Sequence, residues 1–478
     1  MNKTLFLLLL GAAVLPTGCT LAPKYARPAA PVPSQWPAGA VSAGASAAAA
    51  EAPAAADLGW QAFLADARLR QVVGLALTNN LDLRAAALNV ELARALYGIQ
   101  RASLWPALDA AFGASKSRTP GDISETGHHR ISERYDANLG VASWEVDLFG
   151  RIRSLKDRAL QEYLASEEAR RGAQLSLVAS VAQAYLALAA DREGLRLAVT
   201  TLEAQRASYA LIRKRYEIGV VTELDLCRAQ TQVDSARGDV AQFTQREAQD
   251  RNALDLLAGA PVPEALLPAD LGEVAPPADV RAGVPSEELL RRPDVARAEN
   301  LLKAADADIG AARAAFFPRI SLTAAYGTAS GELDGLFKTG SRAWTFTPQA
   351  VAPVFDARTW QAFKGAKAQQ KIAVAEYEKS VQSAFREVAD ALAVRGTVNE
   401  RVAAQESLVG AVESTYRLSQ SRYDKGIDSY LSVLDAQRSL YSAQQGLLAL
   451  RFARLANLVR LYAVLGGGAD GAAPARAE

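Results

Sequence analysis

Cysteine, histidine and methionine are nearly missing: 478 residues hold two, two and one of them. Cys19 and Cys227 stand 208 positions apart, so a disulfide framework, a zinc ribbon and a redox pair are all excluded. His128 and His129 lie side by side in the polar stretch Thr119 to Glu133 and would need ligands from elsewhere to hold a metal. No Gly-rich phosphate loop, H-E-x-x-H or G-x-S-x-G occurs. The 53 Lys and Arg almost cancel the 52 Asp and Glu, which argues against a nucleic-acid binder. Half the residues are apolar although only 7% are aromatic, so the chain has the means to fold. These absences speak against an enzyme.

Proline is present but unevenly spread. Seven of the 20 prolines run from Pro16 to Pro53 and seven from Pro261 to Pro293, whereas 121–260 and 354–473 contain none. Proline breaks helices, so proline-free spans of 140 and 120 residues admit very long ones. Apolar or small positions there step by alternating 3 and 4: Leu175, Val178, Ala182, Tyr185 and Ala189 in the first span, Val381, Phe385, Val388 and Leu392 in the second. That is the narrow seam by which long helices pack side by side. A helix from Arg151 to Gly219 would be about 100 Å long at ~1.5 Å per residue. Gly219 and Gly426 stand where each long helix should end, and a second helix follows each, so two helical hairpins with tight tips are expected. Cys227, in the helix after Gly219, reads as a small packed residue.

The chain is an internal duplication. Asn80 to Pro106 aligns without gaps on Arg292 to Pro318, pairing Gly98 with Gly310, Arg101 with Arg313 and Trp105-Pro106 with Phe317-Pro318. Arg215-Tyr216-Glu217-Ile218-Gly219 likewise matches Arg422-Tyr423-Asp424-Lys425-Gly426. After each of Pro106 and Pro318 the period changes to 2. Leu108, Ala110, Phe112 and Ala114, then Tyr135, Ala137, Leu139 and Val141, then Ile320, Leu322, Ala324 and Tyr326, then Trp344 and Phe346 alternate with small or polar residues. Each strand is roughly ten residues, long enough to cross a bilayer when tilted, and Tyr135, Trp144, Tyr326 and Trp344 suit its interfaces. Four strands cannot close a barrel, so the chain must oligomerise, giving eight strands as a dimer or twelve as a trimer.

At the N-terminus, Met1-Asn2-Lys3, the apolar run Leu5 to Leu15 and Pro16-Thr17-Gly18 precede Cys19. The run is too short for a permanent span and fits a secretory signal. The segment resembles a bacterial lipoprotein signal, cleaved before Cys19, although Pro16 stands where an aliphatic residue is usual. Thr20 at the next position resembles lipoproteins sent to the outer membrane. The domain reading is therefore a signal at 1–18, a lipidated Pro/Ala-rich arm at 19–56, a first repeat at 57–260, a linker or equatorial segment at 261–290, a second repeat at 291–466 and a flexible tail at 467–478. Within the repeats, strands are expected at about 107–117, 134–147, 318–329 and 342–352. Long helices are expected at 150–219, 222–259, 357–425 and 427–465, with a shorter one at 293–316.

Several segments together resemble the outer-membrane factor family of tripartite efflux systems, TolC-like and of the OprM/NodT lipoprotein type. They are Cys19, Tyr25-Ala26-Arg27-Pro28, Trp144 to Arg151 (WEVDLFGR), Arg291-Arg292-Pro293-Asp294, Ala315 to Pro318 (AFFP) and Asp428 to Leu440 (DSYLSVLDAQRSL). The resemblance implies an α+β membrane channel: a trimeric twelve-stranded transmembrane β-barrel, four strands per chain, continued by a twelve-helix periplasmic α-barrel with an equatorial domain. It implies a passive exit duct for drugs or other small toxic compounds, opened at its helix tips by a periplasmic adaptor and an inner-membrane RND-type pump. Carried over by position, Tyr423, Ser429, Leu431 and Asp435 would constrict and latch the periplasmic mouth. The internal repeat extends that role to Glu223 and Asp225. No cofactor is implied beyond diacylglycerol and an N-palmitoyl chain on Cys19, set in outer-membrane lipid. The rivals are a periplasmic coiled-coil adaptor or scaffold lipoprotein, which would carry one hairpin between compact β-domains, and a type I secretion exit duct.

Overall fold

Caps and prolines punctuate the chain in this computed structural model, which describes residues 20–37, 53–281 and 286–468. The expected signal, Cys19, residues 38–52 of the arm, 282–285 of the linker and 469–478 of the tail lie outside those residues. The described helices are α1 (Trp60–Phe63), α2 (Ala67–Asn79), α3 (Leu81–Ala102), α4 (Arg151–Glu217), α5 (Glu223–Ala258), α6 (Pro293–Ala314), α7 (Ala357–Asp424) and α8 (Tyr430–Val464). The strands are β1 (Asp109–Thr119), β2 (Arg130–Val146), β3 (Arg319–Ser330) and β4 (Arg342–Val351). Asp66 caps α2 by accepting from Leu69 N at 2.8 Å, and Gly259 ends α5 at φ 71°. α6 starts on Pro293, which has no N–H to leave unsatisfied in the first turn.

The chain divides into two compact units. One takes its described residues from Met1–Ala29, Val90–Ser166 and Arg297–Tyr377, the other from Ala30–Asn89, Glu167–Ala296 and Glu378–Glu478. The first holds the sheet, antiparallel throughout in the order β1-β2-β3-β4. Its register gathers the apolar residues on one face: Phe112 lies opposite Ala137, Leu139 opposite Tyr326, Ala324 opposite Phe346, and Tyr326 opposite Trp344. The other face pairs Gly113 with Asp136, Asn138 with Gly327, Thr323 with Thr347 and Ser321 with Gln349. Phe112, Tyr326, Trp344 and Phe346 are all exposed, as an apolar outer face should be when its solvent is lipid. Between Val141 and Trp144 a bulge sets Ala142 and Ser143 against Thr323, whose Oγ1 donates to Ala142 O at 2.8 Å. The extra residue changes parity, so odd-numbered Leu139 and Val141 share a face with even-numbered Trp144 and Val146. Gly140 and Gly327 sit where β2 and β3 approach closely; a Cβ on Gly327 would meet Ala137 O at 2.1 Å.

β2 is longer than its alternation suggests, and β1 is shifted two residues toward its C-terminus. β1 runs to Thr119 and β2 starts at Arg130, four residues before the expected 134, so the polar loop shrinks to 120–129. Charge pairing extends the ladder: Lys116 is ion-paired with Glu133 opposite it, and the Ser117 and Ser132 hydroxyls are 2.9 Å apart.

In the same unit the N-terminal arm runs antiparallel to α6. Arg27 donates to both carboxylate oxygens of Glu299 at 3.1 and 3.0 Å, and Tyr25 Oη donates to Glu299 at 3.0 Å. Further along α6, Arg313 donates to Leu21 O at 2.9 Å. Gly310 lets the arm pass, since a Cβ there would lie 2.8 Å from Ala22 N.

The second unit is helical. Among the described helices only α4 is long and apolar enough to cross a membrane by length and composition, yet Val178, Val181, Ala182, Tyr185 and Leu186 in its apolar run are buried. The linker packs rather than dangles: Val262, Leu267, Leu271 and Val280 are buried, and Tyr185 Oη donates to Leu266 O at 3.1 Å. Gly467 and Gly468, expected in the tail, are also tied, Gly468 N donating to Ala55 O at 2.8 Å. Buried Arg292 donates to Asp294 at 2.7 Å, to Glu387 at 2.8 Å and to Val464 O at 2.6 Å, joining the start of α6 to α7 and to the end of α8.

One carboxylate in this unit has a buried oxygen without a donor. Asp250 Oδ2 on α5 is buried without a partner, with Asp191 of α4 beside it and Arg246 4.0 Å from Asp191. Burial, then the Asp191 carboxylate, push the Asp250 carboxyl up to about 7 against the pull of Arg246. Its folded value thus exceeds the ~3.9 of an unfolded aspartate, so its stabilisation is complete in acid and is lost as pH rises through about 7. Wild-type thermal stability should therefore fall between about pH 4 and 7, and Asp250→Asn should flatten that slope. Melting curves across this range check it; an unchanged slope in the variant would refute the assignment.

Candidate functional site

The two hairpin tips are built alike. At the end of α4, Gly219 has φ 77°, its N–H donates to Tyr216 O at 2.8 Å, and Val220 N donates to Arg215 O at 2.9 Å. At the end of α7, Gly426 has φ 72°, with Gly426 N donating to Tyr423 O and Ile427 N to Arg422 O, both at 2.9 Å. This doubly bonded helix end requires a left-handed residue, which glycine adopts without a Cβ clash.

The helices leaving the tips start differently. α5 opens on a capping box in which Thr222 Oγ1 accepts from Asp225 N at 3.2 Å and Asp225 Oδ2 accepts from Thr222 N at 3.3 Å. α8 opens on Ser429, whose side chain makes no cap bond, and its tip is instead clasped by Arg422, which donates to both oxygens of Asp428 at 2.6 and 3.0 Å. That guanidinium holds the Asp428 carboxyl below the usual carboxylate range.

Between the hairpins lies an aromatic cluster. Ile212 of α4, Ala229 of α5 and Tyr430, Val433 and Leu434 of α8 are buried together, with Tyr209, Val221, Leu226, Tyr416 and Tyr423 packed around them. The Tyr423 and Tyr430 rings are 5.4 Å apart, and the Arg215 guanidinium stands 5.1 Å over the Tyr423 ring. Neither Tyr423 Oη nor Tyr430 Oη has a hydrogen-bond partner. Burial, then the neighbouring Tyr423, Tyr416 and Asp225, push the Tyr430 phenol up to about 12.

Of the residues expected at a mouth, Tyr423 lies within this cluster and Asp225 beside it. Glu223 is exposed, as is Leu431 at 40%. Asp435 is exposed and ion-paired with Arg438 one turn on, a cation the sequence reading left out. Also missed were Tyr430, Ile212 and Arg215. Each had a signal: Arg215 matches Arg422 in the repeat, and Ile212 follows Tyr209 on the 3-4 stripe. The repeat hides Tyr430, whose counterpart is Glu223, although Val433 and Leu434 follow it at helical spacing. Cys227 corrects an expectation: its thiol is free and exposed, because the buried stripe of α5 runs through Ala229, Val233 and Ala236 and leaves position 227 outside.

The family model described as outer membrane efflux protein matches the chain twice, over residues 72–260 and 284–467, one match for each half of the duplication. The toluene efflux pump outer membrane protein TtgC and the antibiotic efflux pump outer membrane protein ArpC, both of Pseudomonas putida, are each 47% identical, covering 98% of this chain and 96% of theirs. The open state of the Neisseria gonorrhoeae MtrE outer membrane channel superposes with a TM-score of 0.84 at 39% identity, over 94% of this chain and 98% of that one. Two long hairpins, four strands with an apolar outer face and these relatives agree: the chain belongs to the outer membrane efflux protein family, as a passive channel of the outer membrane that reaches into the periplasm, not an enzyme, with the family's trimeric α+β fold.

Proposed function

We propose that the cluster around Tyr423 and Tyr430 is the latch of the periplasmic mouth, and that a periplasmic adaptor and an inner-membrane RND-type pump open it. The observation that carries this reading is the shared cluster itself: Ile212 and Ala229 of the first hairpin are buried with Tyr430, Val433 and Leu434 of the second, and Arg215 of the first stands over the Tyr423 ring of the second. Moving α7 and α8 away from α4 and α5 exposes those side chains, and each fully buried ring costs about 1.5–3 kcal/mol to expose. A handful of rings keeps the duct shut on its own yet lies within reach of the binding energy of a docking partner. Ser429, Leu431, Asp435 and Glu223 would line the constriction, with Asp225 behind them. Three Asp435 carboxylates around an axis disfavour anions, and the Arg438 paired with each weakens that field.

The cargo in this reading is small toxic organic compounds, drugs included; relatives named for toluene and antibiotic efflux support it. Cys19 carries diacylglycerol and an N-acyl chain in outer-membrane lipid. Support comes from Thr20 Oγ1, 3.4 Å from Ser154 Oγ, because Ser154 lies one turn into α4, and only four residues separate α4 from membrane strand β2. An anchor one residue upstream therefore meets lipid at the rim of the sheet.

Tyr423→Ala and Asp435→Ala should each raise single-channel conductance in a planar bilayer, whereas tightly closed channels in both variants would count against the gate. Because Tyr430 Oη has no partner, Tyr430→Phe should leave tip stability within ~1 kcal/mol of wild type, while Tyr430→Ala should cost about 3 kcal/mol. Proteolysis at the 425–429 turn reads both, and equal sensitivity of the two variants would contradict a packing role. The mass of the purified mature chain tests the anchor: Cys19→Ser should remove three acyl chains, and identical unacylated masses would dismiss it.

A further inference from the structure

In the trimeric barrel β4 of one copy meets β1 of the next; we propose that Phe355 stacks there on Trp105 of the second copy and that the antiparallel register sets Val351 opposite Asp109. The inference rests on the trimeric channel and derives its seam from the duplication. Within one chain, Phe149 stands two residues before α4 and stacks on Phe317, which precedes Pro318 and β3, with ring centroids 4.7 Å apart at 18°. The stack forms because β2 and β3 pair at that end, Val146 lying opposite Ile320. Phe355 stands two residues before α7, and Trp105 precedes Pro106 and β1. They are the counterparts of Phe149 and Phe317, but β4 and β1 are the two free edges of the sheet. Hence their contact can form only between copies.

The register follows by counting. Val146 is three residues before Phe149 and Ile320 three after Phe317; likewise Ala352 is three before Phe355 and Leu108 three after Trp105. Ala352 therefore lies opposite Leu108 and Val351 opposite Asp109. The faces give an independent check. The apolar face of β4 carries Phe346, Pro348 and Ala350, and that of β1 carries Ala110, Phe112 and Ala114. This register sets Ala350 opposite Ala110 and Phe346 opposite Ala114, whereas a slip by one residue would turn one apolar row toward the lumen.

The same seam is uncovered all along a lone chain. Phe355 is 88% and Trp105 74% exposed, against 42% for Phe317. α3 buries no residue, while its counterpart α6 buries Leu302 and Ile309. Beside Gly310 stands Ser154, but the space at the matching Gly98 is open. The counterpart of Ser154 is Trp360, 57% exposed, and across the seam it covers Gly98 of the next copy.

Full-length protein with Cys227→Ser tests this directly. Ala110→Cys with Ala350→Cys should give covalent dimers and trimers on oxidation, read on denaturing gels without reductant and in several-fold higher yield than Ala110→Cys with Ala352→Cys. An intrachain bridge is impossible, because β1 and β4 are three steps of ~4.8 Å apart in one sheet. Cross-linking of the Ala352→Cys pair instead would overturn the register. A protein that is trimeric by native mass yet cross-links in neither form would overturn the seam and leave the channel standing; a monomer would sink both. Phe355→Ala and Trp105→Ala should each lower the temperature at which the trimer dissociates, the double variant falling no further than the worse single one. Additive losses would mean that lipid, not the neighbouring ring, covers them.

Discussion

Backbone N–H and C=O groups have no water to bond in hydrocarbon, and a four-stranded sheet presents two rows of them at its free edges. Everything else in this chain accommodates that constraint. An apolar outer face is useless without edge closure, and closure by identical copies needs β1 and β4 to match in length and in facing. Both carry their apolar residues at even positions, and the bulge in β2 is what reconciles an odd-numbered apolar row with Trp144 and Val146. The tight β2–β3 approach at Gly140 and Gly327 belongs to the same demand, since a closed barrel needs strong twist and an interior clear of bulky side chains.

Duplication supplies the second half of the architecture and then departs from itself where function requires. The two tips share their glycine turn bond for bond, because reversing a helix within a few residues has few solutions. The helices that follow do not share their first residues. Thr222 and Asp225 give α5 a satisfied polar start, whereas α8 begins on Tyr430, whose ring is buried although its hydroxyl goes unbonded. A buried unpaired hydroxyl weakens a contact, which suits the proposed latch. In the proposed latch, the first hairpin stays and the second is released.

Periodicity made the fold legible. Period 2 after Pro106 and Pro318 marked four strands, and 3-4 stripes marked the long helices, because one-sided burial writes itself into sequence. What depends on a partner strand did not show. The bulge at Ala142 and Ser143 exists only relative to Thr323, and the charged stretch from Arg130 to Arg134 joins β2 through cross-strand pairs such as Glu133 with Lys116. At the tips, glycines and Tyr423 were readable through the repeat, whereas Tyr430, whose counterpart is Glu223, was readable only from its own helical stripe with Val433 and Leu434. Arg438 escaped because an ion pair one turn away looks like any charge on a solvated helix face.

The arm resolves the oddity of a proline-rich leader before so much helix. Extended chain covers about 3 Å per residue, so the few residues from Leu21 to Arg27 reach from Arg313 back to Glu299 along α6 without needing a core of their own. Hydrogen bonds to one buried carboxylate and a glycine-cleared path fix that course at low entropic cost, because the prolines have already restricted the unfolded arm. The direction is the informative part. Moving toward the N-terminus, the arm climbs α6 toward β3, and at Thr20 it meets Ser154 just past the end of β2. That line runs toward the rim of the sheet, which is the course the proposed lipid anchor at Cys19 requires.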